Sequence, residues 1–291
     1  MKRRFLICLA MIVLMTIPCG AEPVRWVDFD VPYESLKYAM DRDIETFDAE
    51  KHISWIDALS LAACRTGGKC GLTSVKKAFS ELEGNQSPEE LLGETAKYYA
   101  YYHEAYSAAL GGLLGSFAIE VDGQWKPQYG LKAYSPVAAG YGYSHFADFG
   151  VSRSFGFARK HLGNDLMGGQ GTPIVAVEGG VVEAMGWNRY GGWRIGIRSF
   201  DKKRYYYYAH LDSYAGNLEP GSPVYAGQLL GFMGDSGYGE EGTVGMFDVH
   251  LHLGIYIYDE EGIDFPCLRQ IKEVKRGRVR DYLEFHPKAQ Y

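Results

Sequence analysis

The 291-residue chain has no surplus of positive charge: 30 lysines and arginines stand against 36 aspartates and glutamates, a formal net charge of −6. That balance excludes the electrostatic footprint of a nucleic-acid-binding protein. Prolines are few, at 11, and the glycines show no G-x-y period, which excludes a collagen-like chain. The most apolar run, Phe5 to Pro18, falls short of the roughly 18–20 residues that span a bilayer. Apolar residues in general are not scarce: 46% hydrophobic with 23% charged excludes a disordered polymer.

What is abundant is glycine. There are 37, about 13% of the chain against roughly 7% in average usage. Residues 1–125 hold 10 of them and residues 126–291 hold 27. Charge divides at the same place: residues 22–125 carry 9 basic and 18 acidic side chains, net −9, whereas 126–291 carry 18 of each. Two domains of different character are predicted, 22–125 and 126–291, within the length that two ordinary domains need.

Lys2, Arg3 and Arg4 precede the apolar run, and Cys19, Gly20 and Ala21 follow it. This order reads as a secretory signal over residues 1–21 rather than a retained anchor. Its removal takes three positive charges and leaves −6 − 3 = −9. Pro18 fits poorly before a lipid-modified Cys19. Of the remaining cysteines, Cys64 and Cys70 are close enough to bridge in an oxidising compartment or to stay as thiols, and Cys267 stands alone.

The acidic part reads as helical. Tyr33, Leu36, Met40, Ile44 and Phe47 recur at helical spacing, Ser54 opens a second run that Gly67-Gly68 ends, and Ser87-Pro88-Glu89-Glu90 has the form of a capping box. The helix it starts is expected to run to Gly111-Gly112, its tyrosines packed in a core. His103-Glu104 lacks the second histidine of a zinc-helix motif, since position 107 is Ser. No chemistry is assigned to this part.

From about residue 130 the pattern changes to short strands: Pro173–Val182, Trp193–Phe200, Tyr205–Leu211, Val224–Met233 and His250–Tyr258, rich in β-branched and aromatic residues and separated by Gly, Asn and Asp. His161 and Asp165 are four apart, too far in a straight strand to share a metal, so the segment must bend, which Gly163 permits. On a strand His250 and His252 project from one face while Leu251, Leu253 and Ile255 point to the core. His210 ends a strand on the face of Tyr206 and Tyr208. Two histidines and one aspartate form a usual catalytic zinc set with a fourth position for water; spacing alone does not say which histidine of the 250/252 pair would bind.

These residues, in order, resemble the lysostaphin/LytM-type zinc endopeptidases of bacterial peptidoglycan. Ser135-Pro136 and Gly140-Tyr141-Gly142 are similar to the entry strand, and His161-x-Gly163-x-Asp165 to the first metal motif. Gly171-Thr172-Pro173 with Gly179-Gly180-x-Val182, then Tyr208-Ala209-His210-Leu211, Gly221-x-x-Val224, Ala226-Gly227-Gln228 and finally His250-Leu251-His252 complete the series over roughly 130–258. The resemblance does not extend to the helical part; for the second domain it implies a mainly antiparallel β-sheet of the duplicated-hybrid-motif kind, so that the whole reads as an α+β chain, an all-α domain followed by a β-sheet domain. It implies one zinc on His161, Asp165 and His252, with His210 and His250 as catalytic histidines. It further implies a secreted or cell-wall-associated metalloendopeptidase acting on the peptidoglycan peptide, stem or cross-bridge.

Two segments depart from the pattern. Twelve residues, Tyr238 to Val249, separate the glycine turn from the HLH triplet and are expected to overhang the groove. Ser144 to Lys160 is long enough to cover the site and hold the enzyme latent. One rival reading is a catalytically dead relative that binds or regulates another wall hydrolase, which all five intact residues argue against. Another is a cytoplasmic sugar-phosphotransferase component, which the signal argues against. Arg269, Lys272, Lys275, Arg276, Arg278 and Arg280 form a basic stretch, read as a solvated surface before a contact with anionic polymers.

Overall fold

The computed structural model describes residues 31–146, 148, 151–154 and 159–257. The signal segment, Cys267 and the basic stretch 269–280 lie outside the described residues. Among the described residues no helix is long and apolar enough to cross a membrane.

Five helices come first: α1 (Tyr33–Thr46), α2 (Trp55–Thr66), α3 (Leu72–Leu82), α4 (Pro88–Leu92) and α5 (Tyr99–Leu110). Ser54 caps α2 by accepting from the Ile56 N–H, and Ser87 and Glu90 form the expected capping box on α4. The single helix expected from Ser87 to Leu110 is instead broken: α4 stops at Gly93, and a 3₁₀ stretch, Gly93–Tyr98, leads into α5. Of the tyrosines expected in its core, Tyr99 is buried and Tyr102 is half-buried, whereas Tyr98 is exposed; Tyr106 supplies a fully buried ring instead.

The segment before residue 125 is not purely helical. β1 (Leu114–Val121) and β2 (Gln124–Leu131) form an antiparallel hairpin that straddles the expected boundary. Phe117, Ile119 and Val121 alternate with polar or small residues, and Asp122-Gly123 is a strong hairpin turn signal. Both turn residues have positive φ, 55° and 75°, which only a two-residue turn of this kind requires.

The remaining strands are β3 (Ser144–Phe146), β4 (Ser152–Arg153), β5 (Arg159–Lys160), β6 (Asn164–Met167), β7 (Pro173–Val175), β8 (Gly180–Asn188), β9 (Gly192–Ser199), β10 (Arg204–Tyr214), β11 (Pro223–Val224), β12 (Leu229–Met233) and β13 (His250–Ile257). Pro173–Val182 and Val224–Met233, each expected as one strand, are both split by turns. β4 and β5 pair with each other alone; the others form one nine-stranded sheet with the order β11-β8-β9-β10-β13-β6-β3, and β12 bridges β10 to β7. All its pairings are antiparallel.

Two buried apolar clusters hold the molecule. One gathers the helices around Trp55, Leu59, Leu61, Phe79 and Tyr106; the other lies under the sheet around Ile174, Ile195, Ile197, Tyr206, Tyr208, Leu251 and Leu253. Fully burying each such side chain is worth roughly 1.5–3 kcal/mol before entropy is counted. Between the clusters sits Arg204, with no exposed surface. Its guanidinium grips Glu178 twice, at 2.7 and 3.0 Å, contacts Asp201 at 2.5 Å, and donates to the Ala108 carbonyl at the end of α5 at 2.7 Å. Cys64 and Cys70 are not joined by a disulfide; Cys70 is buried 3.4 Å from the Tyr106 hydroxyl.

Candidate metal centre and active site

The register of the sheet assembles the site. β6 and β13 pair so that Asp165 stands directly opposite His252. Directly opposed residues share a face, so both side chains emerge on the same side. His161 precedes β6, where the chain bends at Gly163. The bend is the expected one, but the demand on Gly163 is steric: a Cβ there would lie 2.5 Å from His252 Nε2 and 2.8 Å from the Leu253 carbonyl oxygen.

His161, Asp165 and His252 each offer an atom within 4.8 Å of the others. His161 Nε2 lies 2.8 Å from His252 Nδ1, and Asp165 Oδ1 lies 3.1 Å from each. Two imidazole nitrogens and a carboxylate oxygen converging on one point are a donor set for a cation, and this composition suits zinc. Burial lowers the His161 pKa, but the carboxylates of Asp148 and Asp165 outweigh it and raise it to about 9. Burial would raise the Asp165 pKa, yet the hydrogen bonds from His161 and His252 hold it well below the usual carboxylate range. Burial, with His161 and His250 nearby, lowers that of His252 despite Asp165. The cluster thus carries an anionic oxygen and attracts positive charge.

His210 reaches the same place by a different device. In an unbroken β10 it would share the core face of Tyr206 and Tyr208, as the alternation expects. It does not. The register shifts between Tyr208 and Leu211, and His210 adopts φ +63°. This β-bulge turns the ring out of the core toward the site, where it stands 4.7 Å from the His250 ring and 5.9 Å from the His252 ring, centroid to centroid. The strained backbone is held by His210 N–H donating to Gly191 O at 2.7 Å and its carbonyl accepting from Gly234 N–H at 3.0 Å. Such strain in a non-glycine residue is characteristic of functional positions.

Backbone carbonyls set the tautomers of both histidines. His210 Nδ1 lies 2.8 Å from Ser236 O and His250 Nδ1 lies 2.6 Å from Asp248 O. A carbonyl only accepts, so Nδ1 carries the proton in each ring and Nε2 is left as an acceptor. Burial, reinforced by His250 and His252, holds the His210 pKa well below its ordinary value, so that ring is neutral at pH 7. His250 Nε2 lies 3.6 Å from Asp165 Oδ1.

The Tyr238–Val249 loop does overhang the site. Phe247 packs 4.5 Å from His210 and 5.1 Å from His250, ring to ring, and Tyr238 lies 4.9 Å from Phe247. The loop closes on itself through Gly237 N–H to Thr243 O at 2.9 Å and is tied to the β8–β9 turn through Gly239 N–H to Arg189 O at 3.0 Å. Glu240 and Glu241 face solvent rather than the histidines.

Sequence reasoning read Ser144–Lys160 as a cover and missed two of its residues. Asp148 and Arg153 lie against the ligand cluster: Arg153 contacts both Asp148 and Asp165, and His161 Nδ1 faces Asp148. An acid and a base five apart between aromatic residues were the available signal, and nothing local gave their destination. His145 on β3 bonds Asn164 Oδ1 at 3.0 Å, fastening the edge strand to β6.

Known proteins are similar to part of this chain. Residues 159–265 match the model of peptidase family M23. The L-Ala--D-Glu endopeptidase of Bacillus subtilis is 46% identical over 114 residues, 39% of this chain and 35% of that protein. Lysostaphin of Staphylococcus simulans is 35% identical over 100 residues, 34% of this chain and 19% of that protein. The match therefore spans only about a third or less of the length of these relatives. A crystal structure from Ruminococcus gnavus, assigned as a glycyl-glycine endopeptidase of the LytM kind, is 28% identical with a TM-score of 0.53, covering 86% of this chain and 90% of that one. That coverage is more than the sheet supplies by itself, so the likeness extends into the helical part.

Proposed function

Taking as its premise that the chain carries a peptidase family M23 domain of the lysostaphin/LytM type, we propose that it is an exported zinc metalloendopeptidase that hydrolyses peptide bonds of bacterial peptidoglycan. The observation that carries this reading is the convergence of His161, Asp165, His252, His210 and His250 from three separated segments onto one face of the sheet.

His161 Nε2, Asp165 Oδ1 and His252 Nδ1 are the atoms that would hold one zinc. Zinc in such a set supplies Lewis acidity toward the scissile carbonyl and the attacking water. The rest falls to the chain. Asp165 stays ionised and contributes charge. His210, neutral and with Nε2 free to accept, takes a proton from the attacking water as general base and returns it to the departing amine. His250, of the same tautomer, holds the water by its Nε2. The amide C–N bond breaks, the carbonyl carbon gains the water oxygen, and the amine leaves protonated. Phe247 and Tyr238 wall the histidine pair on one side and limit water access.

The 46% identity to an L-Ala--D-Glu endopeptidase favours the stem peptide over a glycine bridge as substrate. Mass spectrometry of muropeptides released from defined cell walls tests both. Release of stem fragments with a new N-terminal D-Glu, abolished by a chelator and restored by zinc, is expected. Chelator-insensitive release, or none from any wall type, would refute the proposal.

A further inference from the structure

Asp148 is 4% exposed and its carboxylate lies beside a ligand histidine. His161 Nδ1 is 3.3 Å from the Asp148 carbonyl oxygen, which its N–H direction meets, and 3.0 Å from Asp148 Oδ1, which stands to one side of that direction. Both partners are acceptors. A neutral ring that donates through Nδ1 presents Nε2 as a lone pair, and Nε2 is the atom that faces Asp165 and His252.

Arg153, at the end of β4, joins the two acids. Its Nη2 contacts Asp148 Oδ2 and lies 3.2 Å from Asp165 Oδ2. Asp165 therefore has one oxygen engaged by Arg153 and the other, Oδ1, turned to the imidazoles. The guanidinium also offsets the repulsion between two buried carboxylates that both lie near His161. A buried ion pair is weak evidence of stabilisation by itself, and this one is aimed at the far side of the ligands.

We propose that Asp148 and Arg153 are positioning residues of the metal centre, the Asp148 carboxylate setting the tilt of His161 beside the bond that its own backbone carbonyl accepts, and Arg153 restricting Asp165 to ligation through Oδ1. The inference rests on the zinc reading above and deepens it. Asp148 and Arg153 then support the centre from behind its ligands, and deleting residues 144–156, which contain both, would remove metal affinity rather than unmask activity.

The full chain and its Asp148→Ala, Asp148→Asn, Arg153→Met and Arg153→Lys variants serve as the test. Zinc affinity is measured by competition with a chromogenic chelator, the visible spectrum of the cobalt-loaded protein reports ligand geometry, and thermal unfolding of the metal-free protein reports the fold. Asp148→Ala and Arg153→Met should each weaken zinc binding by about 10–100-fold and shift the cobalt spectrum. Arg153→Lys should recover part of the loss, with metal-free unfolding little changed. Should Asp148→Ala fail to fold, Asp148→Asn decides: weaker zinc binding and a shifted spectrum support the assignment. Folded variants that bind zinc within twofold of the parent, with its cobalt spectrum, overturn the inference and leave the zinc reading intact. A parent that binds no zinc overturns both.

Discussion

Replacing Gly163 by alanine adds one methyl group where the ligand cluster has no room for it. That carbon would stand 2.5 Å from His252 Nε2, 2.6 Å from its Cε1 and 2.8 Å from the Leu253 carbonyl oxygen. Non-bonded carbon contacts settle near 3.5–4.0 Å, so one side must retreat by about 1 Å. The Leu253 carbonyl cannot yield cheaply, because Leu253 pairs with Asn164 in the sheet and its side chain is fully buried. The His252 ring must move, taking Nδ1 away from the 2.8 and 3.1 Å separations that bring it to His161 and Asp165. Overpacking of this kind costs about 1–3 kcal/mol of stability. A 1 Å misplacement of a reacting group costs about 100-fold in turnover. Zinc affinity should fall at least about tenfold, equivalent to about 1.4 kcal/mol, in a protein that still unfolds cooperatively. Chelator competition and thermal melts on the same preparations measure both. Gly142→Ala is the control, since a Cβ there meets nothing within 4 Å. If Gly163→Ala binds zinc as tightly as Gly142→Ala, the close approach does not constrain the site and the reasoning fails.

His161→Ala should lose both zinc and activity, whereas His210→Ala should keep zinc and lose about 10²–10⁴-fold in turnover; full activity of the His210 variant on cell walls would remove it from the mechanism. Arg204→Met leaves Glu178 buried with Tyr206 as its remaining side-chain hydrogen-bond partner, and breaking such a pair should cost about 3–5 kcal/mol. Adding Glu178→Gln should recover much of that in urea unfolding, and a single-variant loss under about 1 kcal/mol would contradict the anchor. Burial, reinforced by Cys70, pushes the Cys64 thiol up to about 11, so alkylation at pH 8 should be slow. Non-reducing peptide mapping should find Cys64 and Cys70 unlinked, and a linked peptide would refute this.

The parts of this fold that were legible in the sequence are those governed by near neighbours. Helix caps at Ser54 and Ser87 depend on residues two or three positions away, and the shared face of His250 and His252 depends only on strand alternation. The aromatic residues and glycine turns likewise marked where strands begin and end. The break at Gly93 was not legible, because the residues on either side suit a helix equally well. The β1–β2 hairpin carried its signal in Asp122-Gly123 and was overlooked beside the stronger helical pattern. Two features of the site were beyond local pattern altogether. Alternation puts His210 in the core, and only the competing pairings of β10 with β9, β13 and β12 bulge it outward. Asp148 and Arg153 reach the ligands through tertiary packing of a segment whose own sequence names no partner.

The placement of that bulge connects the helical part to the chemistry. β10 begins at Arg204, clamped between Glu178 and the end of α5, and runs six residues, roughly 20 Å, to His210. Along that length it pairs with β9 on one side and β13 on the other, so its register is fixed from both edges. The left-handed conformation at His210 falls where β10 exchanges β13 for β12 and its register with β9 shifts. A slip by one residue would return His210 to the core face and bring Leu211, now in the core, to the site. None of the described contacts of His161, Asp165, His210, His250 or His252 involves a helical residue. The helices therefore meet the site through the strands they pack on: Arg204 and its partners anchor β10, which carries His210, and the helical core packs on Ile255 and Ile257 of β13, which carries His250 and His252.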